Sequence, residues 1–209
     1  AFFIGVIQGI TEWLPISSTG HMILFNQFFP MNVSDAFMEM FRVVIQFGSI
    51  LAVLVLYFDR LNPWSKRKTA GQKTRTWRLW GKVILAAVPA GIVGLLFDDW
   101  MNAHFYTYTV VAIALIVYGI AFIVIERVRG NKAAKAKKAE DISVGQSVAV
   151  GCFQVLSLIP GTSRSGSTIM GALIAGVSRT AAAEFSFFLA IPVMLGASLL
   201  KIAKYVFKT

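Results

Sequence analysis

"FYTYTVVAIALIVYGIAFIVI", residues 105–125, carries no charged side chain along its whole length. A helix needs roughly 20 apolar residues to cross the hydrocarbon core of a bilayer, so this run reads as a transmembrane span. Residues 41–58, 81–97 and 181–200 have the same character. Composition agrees: of 209 residues, 56% are hydrophobic and 14% charged, against about 25% charged in average soluble domains. The expected fold class is an all-α integral membrane protein, a polytopic helical bundle forming a single membrane domain over 1–209.

The charge flanking this span sets the topology. "DRLNPWSKRKTAGQKTRTWRLWGK" (59–82) holds eight basic residues against one acid, and "ERVRGNKAAKAKKAED" (126–141) holds six against three. Fourteen of the twenty Lys and Arg therefore lie in two short connections, which the positive-inside rule places in the cytoplasm. Topology accounts for the net charge of +10, so nucleic acid is not an expected partner. Between the basic loops 59–82 and 126–143, residues 83–125 read as a helical hairpin with its tip outside. That tip is the turn-like "DDWMNAH" (98–104), where Asp98, Asp99 and His104 are expected only to solvate the turn. Pro89 and Gly91 mark a kink in its first arm. The single cysteine, Cys152, excludes an intramolecular disulfide and reads as a buried free thiol. No cleavable signal peptide is evident.

The regions on either side of this hairpin resemble each other. Gln8, Pro15, "SSTG" and Glu39 recur as Gln154, Pro160, "TSRSG" and Glu184, each unit ending in an apolar run. Residues 1–14 and 21–29 are each too short to span comfortably, so 1–29 reads as a re-entrant hairpin, and 144–177 likewise. Counting crossings, the first unit (1–58) starts outside and the second (144–209) starts inside. The expectation is an inverted-topology repeat whose two re-entrant hairpins meet near the membrane midplane, where such folds build their sites.

Glu12, Glu39, Arg42, Arg164, Arg179 and Glu184 stand within or beside apolar segments, where a central charge costs roughly 2.5–3.5 kcal/mol. Gln8 and Glu12 are four apart and share a helix face. Pro15 then breaks the helix, and Ser17, Ser18 and Thr19 open the next one. Capping accounts for one hydroxyl, whereas a Ser/Thr-rich helix start also suits an anion. "PGTSRSGST" (160–168) adds Arg164, a fork of donors matched to phosphate. Together the turns hold a carboxylate, hydroxyls, an imidazole (His21) and a guanidinium, a set for phosphoryl transfer, with Glu12 and Gln8 able to hold a divalent cation. A site inside the membrane suggests a lipid-borne phosphate. Glu39 and Glu184, at matching positions, are read as structural pairs, as are Arg42 and Arg179.

"QGITEWLPISSTGHM" (8–22) and "PGTSRSGSTI" (160–169) resemble the two signature regions of the bacterial undecaprenyl-diphosphate phosphatase family, the bacitracin-resistance type. Residues 43–54 and 176–197 resemble it too. The resemblance implies hydrolysis of undecaprenyl diphosphate to undecaprenyl phosphate and inorganic phosphate, recycling the lipid carrier for peptidoglycan. It implies a multi-pass protein of the bacterial inner membrane, its site open to the periplasm, with a divalent cation, Mg2+ or Ca2+. Its acidic motif stands here as Gln8 and Glu12, leaving Glu12 as the motif's carboxylate. Its serine corresponds to Ser18, its histidine to His21 and its arginine to Arg164. The favoured expectation is attack by Ser18 with His21 as base; direct attack by His21, or water activated by it, stays open. Ser17, Thr19, Gly161, Thr162, Ser163, Ser165, Gly166 and Thr168 are expected to bind substrate. Family members continue with further spans after the "EFSF" region, so the chain is expected to lack C-terminal spans. The oligomeric state stays open, a homo-oligomer included.

Two other readings compete. "STGH" resembles the "PSGH" motif of type-2 phosphatidic acid phosphatases, but their second histidine and aspartate have no counterpart after "SR". A polyprenyl-phosphate carrier or flippase would share the inverted-repeat architecture, yet has less need of a nucleophile and base beside the arginine.

Overall fold

The computed structural model describes residues 1–129 and 133–208, apart from the side chains of residues 102 and 208. Residues 130–132 of the expected basic loop 126–143, and residue 209 of the second unit, lie outside the described residues. The chain folds into helices α1 (Phe2–Thr11), α2 (Ser18–Phe28), α3 (Asp35–Leu56), α4 (Phe58–Leu61), α5 (Ala70–Phe105), α6 (Tyr108–Arg129), α7 (Val144–Val155), α8 (Arg164–Ile174) and α9 (Arg179–Lys208). Helices α3, α5, α6 and α9 are long and apolar enough to cross a membrane. The protein is a multi-span, all-helical bundle.

The helix ends follow from local chemistry. Thr69 and Gln72 form a reciprocal capping box that starts α5 inside the expected basic loop 59–82, so much of that loop is helix. Helix α5 also runs straight through 98–104, and its junction with α6 is the short link at Tyr106 and Thr107. The acidic pair does not end the helix because it is neutralised: Lys204 Nζ donates to Asp98 and Asp99, each at 2.8 Å, and Lys201 Nζ to Asp98 at 2.8 Å. Asp98 and Asp99 are thus cross-links from α5 to α9 rather than turn solvation. His104 follows the expectation more nearly; it is exposed and its Nδ1 bonds the Trp100 carbonyl at 2.8 Å.

Helix α3 packs along α9 and α5 along α7. Their shared core contains Ile50, Val53, Val83, Val150, Phe185 and Phe188. Gly151 allows the close approach of α7 to α5: a Cβ there would stand 2.5 Å from the Ala86 carbonyl oxygen. On α6, Ile113, Ile116, Val117 and Ile120 are more than half exposed, as a lipid-facing surface requires. Cys152 is exposed, not buried as expected.

At one end of the bundle the basic connections are folded. Arg60 reaches Glu140 and Glu184, each at 2.7 Å, and Lys82 Nζ donates to the Glu140 carbonyl at 2.8 Å. The hydrogen bond from Arg60 holds the Glu140 carboxyl below the usual carboxylate range. Lys135 N–H donates to Gly176 O at 2.8 Å and Ser178 N–H to Ala136 O at 2.9 Å. The segments before α7 and after α8 therefore lie side by side. Glu184, Arg179 (paired with Glu126) and Glu39 (paired with Lys201) all have partners, which matches their structural reading.

Candidate active site

Glu12 caps the C-terminus of α1 in helical conformation, and the chain then turns through Pro15 to Ser17, whose φ of 66° is the one positive φ at a non-glycine residue among the described residues. Left-handed backbone at a serine is strained, and such strain gathers at functional sites. The turn is held by Ser17 Oγ, which accepts from Gly20 N–H at 3.2 Å and caps α2. Ser18 follows as the first residue of α2. Its Oγ donates to Glu12 Oε2 at 2.5 Å.

The second turn uses glycine where the first uses serine. Gly161 has φ 97°, and a Cβ there would come within 2.6 Å of the Val111 carbonyl oxygen, so this position takes only glycine. Ser163 caps α8, accepting from Gly166 N–H at 3.1 Å. Arg164 is the first residue of α8 and sends Nη2 to Glu12 Oε1 at 2.7 Å, while Nη1 donates to the Ser186 carbonyl at 3.2 Å. Ser165 Oγ donates to the Leu14 carbonyl at 3.4 Å. The tips of the two short-helix pairs therefore touch, and Glu12, Ser18 and Arg164 form one buried constellation with Glu12 at 8% exposure. Charge-assisted bonds of this kind are short and strong.

These side chains line a cavity of about 190 Å³. Ser17, Thr19, Gly161, Thr162, Ser163 and Ser165 line it as well. Gly166 and Thr168 do not; Thr168 is fully buried and shares a 2.7 Å bond with Ser186 Oγ. His21 is also absent from the lining, and its Nδ1 bonds the Ser17 carbonyl at 2.8 Å. The acceptor that the geometry gives Ser18 is therefore the Glu12 carboxylate, not the imidazole expected from the motif. Gln8, 2% exposed, stands behind the cavity wall: its Nε2 reaches Glu12 Oε2 at 3.4 Å and its Oε1 accepts from Ser49 Oγ at 3.1 Å.

The far wall is built from Glu39 and Arg42, read from sequence as structural pairs, Asp98, read as turn solvation, and Lys201, which sequence reading missed. Sequence reading also missed Gln46, whose Nε2 donates to Thr19 Oγ1 at 3.0 Å and to the Arg42 carbonyl at 2.8 Å. The available signal was a Gln and a Ser inside the otherwise apolar "VVIQFGSI".

For a divalent cation, no group of three His, Cys, Asp or Glu side chains occurs among the described residues. Gln8 offers its oxygen to Ser49 rather than toward Glu12. A divalent cation held here would have Glu12 as its carboxylate, and a site with one protein acid suits Mg2+, which binds phosphates through one or two carboxylates.

A polytopic helical membrane protein with a buried carboxylate–serine–arginine site defines the class. The family model described as "Bacitracin resistance protein BacA" matches residues 1–209, and the chain belongs to that family. It is 57% identical over 208 residues to the undecaprenyl-diphosphatase of Enterococcus faecalis, covering 100% of this chain and 75% of that protein. The undecaprenyl-diphosphatase of Limosilactobacillus fermentum is 54% identical over 205 residues, 98% of this chain and 74% of its own. That of Streptococcus mutans is 54% identical over 207 residues, 99% and 74%.

Proposed function

We propose that the chain is an undecaprenyl-diphosphate phosphatase of the bacterial inner membrane, releasing inorganic phosphate and returning undecaprenyl phosphate for peptidoglycan synthesis. The observation that carries this reading is the Glu12–Ser18–Arg164 constellation, on a chain 57% identical to an undecaprenyl-diphosphatase.

Ser18 Oγ attacks the terminal phosphorus as its proton passes to Glu12. The bond from that phosphorus to the bridging oxygen breaks, and its electron pair leaves with undecaprenyl phosphate. Glu12 passes that proton to solvent, and water then attacks the phosphoserine, its hydroxyl joining phosphorus and its proton returning to Ser18 Oγ, which frees inorganic phosphate. Arg164 neutralises charge on the equatorial oxygens, and Ser17, Thr19, Gly161, Thr162, Ser163 and Ser165 shape the cradle. Gly166 and Thr168 hold that cradle from behind. Held by Glu12 and the substrate's phosphates, Mg2+ or Ca2+ would supply Lewis-acid neutralisation of the diphosphate. His21 is a positioning residue here: its bond to the Ser17 carbonyl supports the strained turn. His21→Ala should therefore lower kcat by about tenfold and leave the pH profile in place, whereas loss of a general base removes 10²–10⁴-fold.

The same reading gives an architecture. Residues 1–29 and 144–177 are re-entrant hairpins of two inverted repeats, 1–58 and 144–209, linked by the hairpin 83–125, with their tips near the midplane. In support, each pair has a Ser-x-x-Gly cap on its second helix, the tips touch through Glu12–Arg164, and Gln146 Nε2 donates to the Ala175 carbonyl across the ends of 144–177 at 3.0 Å. The basic connections 59–82 and 126–143 then face the cytoplasm and the site opens to the periplasm. Phosphate release from undecaprenyl diphosphate by the purified protein, with and without chelator, tests the proposal. Lipid diphosphate bound but returned unchanged would point to a carrier instead.

A further inference from the structure

We propose that Arg42 grips the second phosphate of the substrate, the one not attacked, and so sets a preference for diphosphate over monophosphate. This rests on the assignment of Glu12, Ser18 and Arg164 to the attacked phosphate.

Arg42 lies two turns into α3, about 10 Å along the axis from Asp35 at 1.5 Å per residue. A guanidinium stays charged in proteins, and in an apolar span that charge needs a partner. Its neighbours on the cavity already have theirs. Lys201 holds Glu39 and Asp98, and Glu12 holds Arg164. Among the described residues no acid bridges Arg42, and its buried Nε has no hydrogen-bond partner. The side chain nevertheless lines the cavity that Ser18 and Arg164 line.

Its placement is fixed from the catalytic side. Gln46 clasps the Arg42 carbonyl and Thr19 Oγ1 with one amide, so the turn of α3 carrying Arg42 is tied to the turn carrying Ser18. With the terminal phosphorus at Ser18, the remaining phosphate lies further along the same cavity, toward the far wall. When the bridging P–O bond breaks, negative charge develops on that leaving phosphate. A planar fork of uncommitted donors stabilises this charge, whereas the already bridged Lys201 ammonium would first have to give up an acid.

The test measures binding of inorganic diphosphate and inorganic phosphate to the full chain in detergent by calorimetry, for the unaltered protein, Arg42→Gln, Arg42→Met and Arg42→Lys. The unaltered protein should prefer diphosphate. Arg42→Gln and Arg42→Met should each weaken diphosphate binding roughly tenfold to hundredfold, as loss of hydrogen bonds to a charged group does, with phosphate binding unchanged. Arg42→Lys should restore part of the difference. A structural role would instead weaken both anions alike without rescue by lysine. That outcome, a preference retained in Arg42→Gln and Arg42→Met, or no preference in the unaltered protein would each overturn the proposal. Binding needs no turnover, so failure of the Ser18 mechanism shows separately, as absent phosphate release.

Discussion

The turns that open α2 and α8 are built alike and equipped differently. Each is a Ser-x-x-Gly start with the serine hydroxyl capping the glycine N–H, at 3.2 Å for Ser17 and 3.1 Å for Ser163. Each needs a residue of positive φ. The second turn takes it from Gly161, where φ is 97°, and the first from Ser17, where φ is 66°. The helices before them differ as well. Gln8 bonds Ser49 and Glu12, whereas its counterpart Gln154, fully buried, has neither amide atom hydrogen-bonded. Four residues after its glutamine the first unit has Glu12, and the second has Leu158. One turn thus brings the acid and the hydroxyl, and the other the guanidinium cation. The constellation is complete only where the two tips meet.

The sharpest way to break this division is to remove the cation. Arg164→Ala should lower phosphate release by at least 10²–10³-fold and, by stranding the buried Glu12 carboxylate, destabilise the fold by about 3–5 kcal/mol. Ser163→Ala, one position earlier, should cost about 1 kcal/mol as a lost cap. Equal effects at the two positions would show that Arg164 serves only to hold the turn. Kinetics and detergent melting curves read both.

The positive-φ positions come next. Gly161→Ala should destabilise by about 1–3 kcal/mol from backbone strain alone, with the clash against Val111 in addition. Ser17→Gly should raise the melting temperature, because glycine relieves the strain and is a tolerable cap. A fall in melting temperature for Ser17→Gly would mean that the Ser17 hydroxyl, rather than its backbone, decides the turn.

The glutamines give a smaller contrast. Gln154→Met should be neutral or stabilising by about 1 kcal/mol, because it removes a buried unpaired amide. Gln8→Met should lose about as much stability and lower kcat by freeing the Glu12 carboxylate to move. The smallest effect lies at the base of the second unit, where Arg60 depresses Glu140. A depressed carboxylate contributes stability above its unfolded value of about 4.3, and that stability is lost as pH falls through its folded value. Melting between pH 6 and 3 should show a loss of about 1 kcal/mol or less, absent in Glu140→Gln.

Apolar length made the four spans legible, and hydroxyl-rich starts after a proline made both turns legible. The ends of α5 were not, because "DDWMNAH" reads as a turn until Lys201 and Lys204, about a hundred residues later, neutralise its acids. Glu12, Ser18 and Arg164, singled out by residue type and spacing, are brought together by the fold, whereas His21, whose spacing from Ser18 suited a base, bonds backbone through a ring nitrogen. The far wall was legible in part: Glu39 and Arg42 stand out as charges in an apolar run, whereas Lys201, like the α5 end, gains its meaning from contacts that no local pattern encodes. Cys152 was misjudged because an apolar neighbourhood in sequence signals lipid exposure as readily as a buried core.

The central claim is that Ser18 is the nucleophile and Glu12 takes its proton. Rapid quenching of the enzyme with undecaprenyl diphosphate labelled in its terminal phosphate, followed by peptide mass spectrometry, tests it most directly. The account predicts acid-stable phosphate on Ser18 during turnover and none in Glu12→Gln. Phosphate on His21 instead, or undiminished phosphate release by Ser18→Ala, would contradict it.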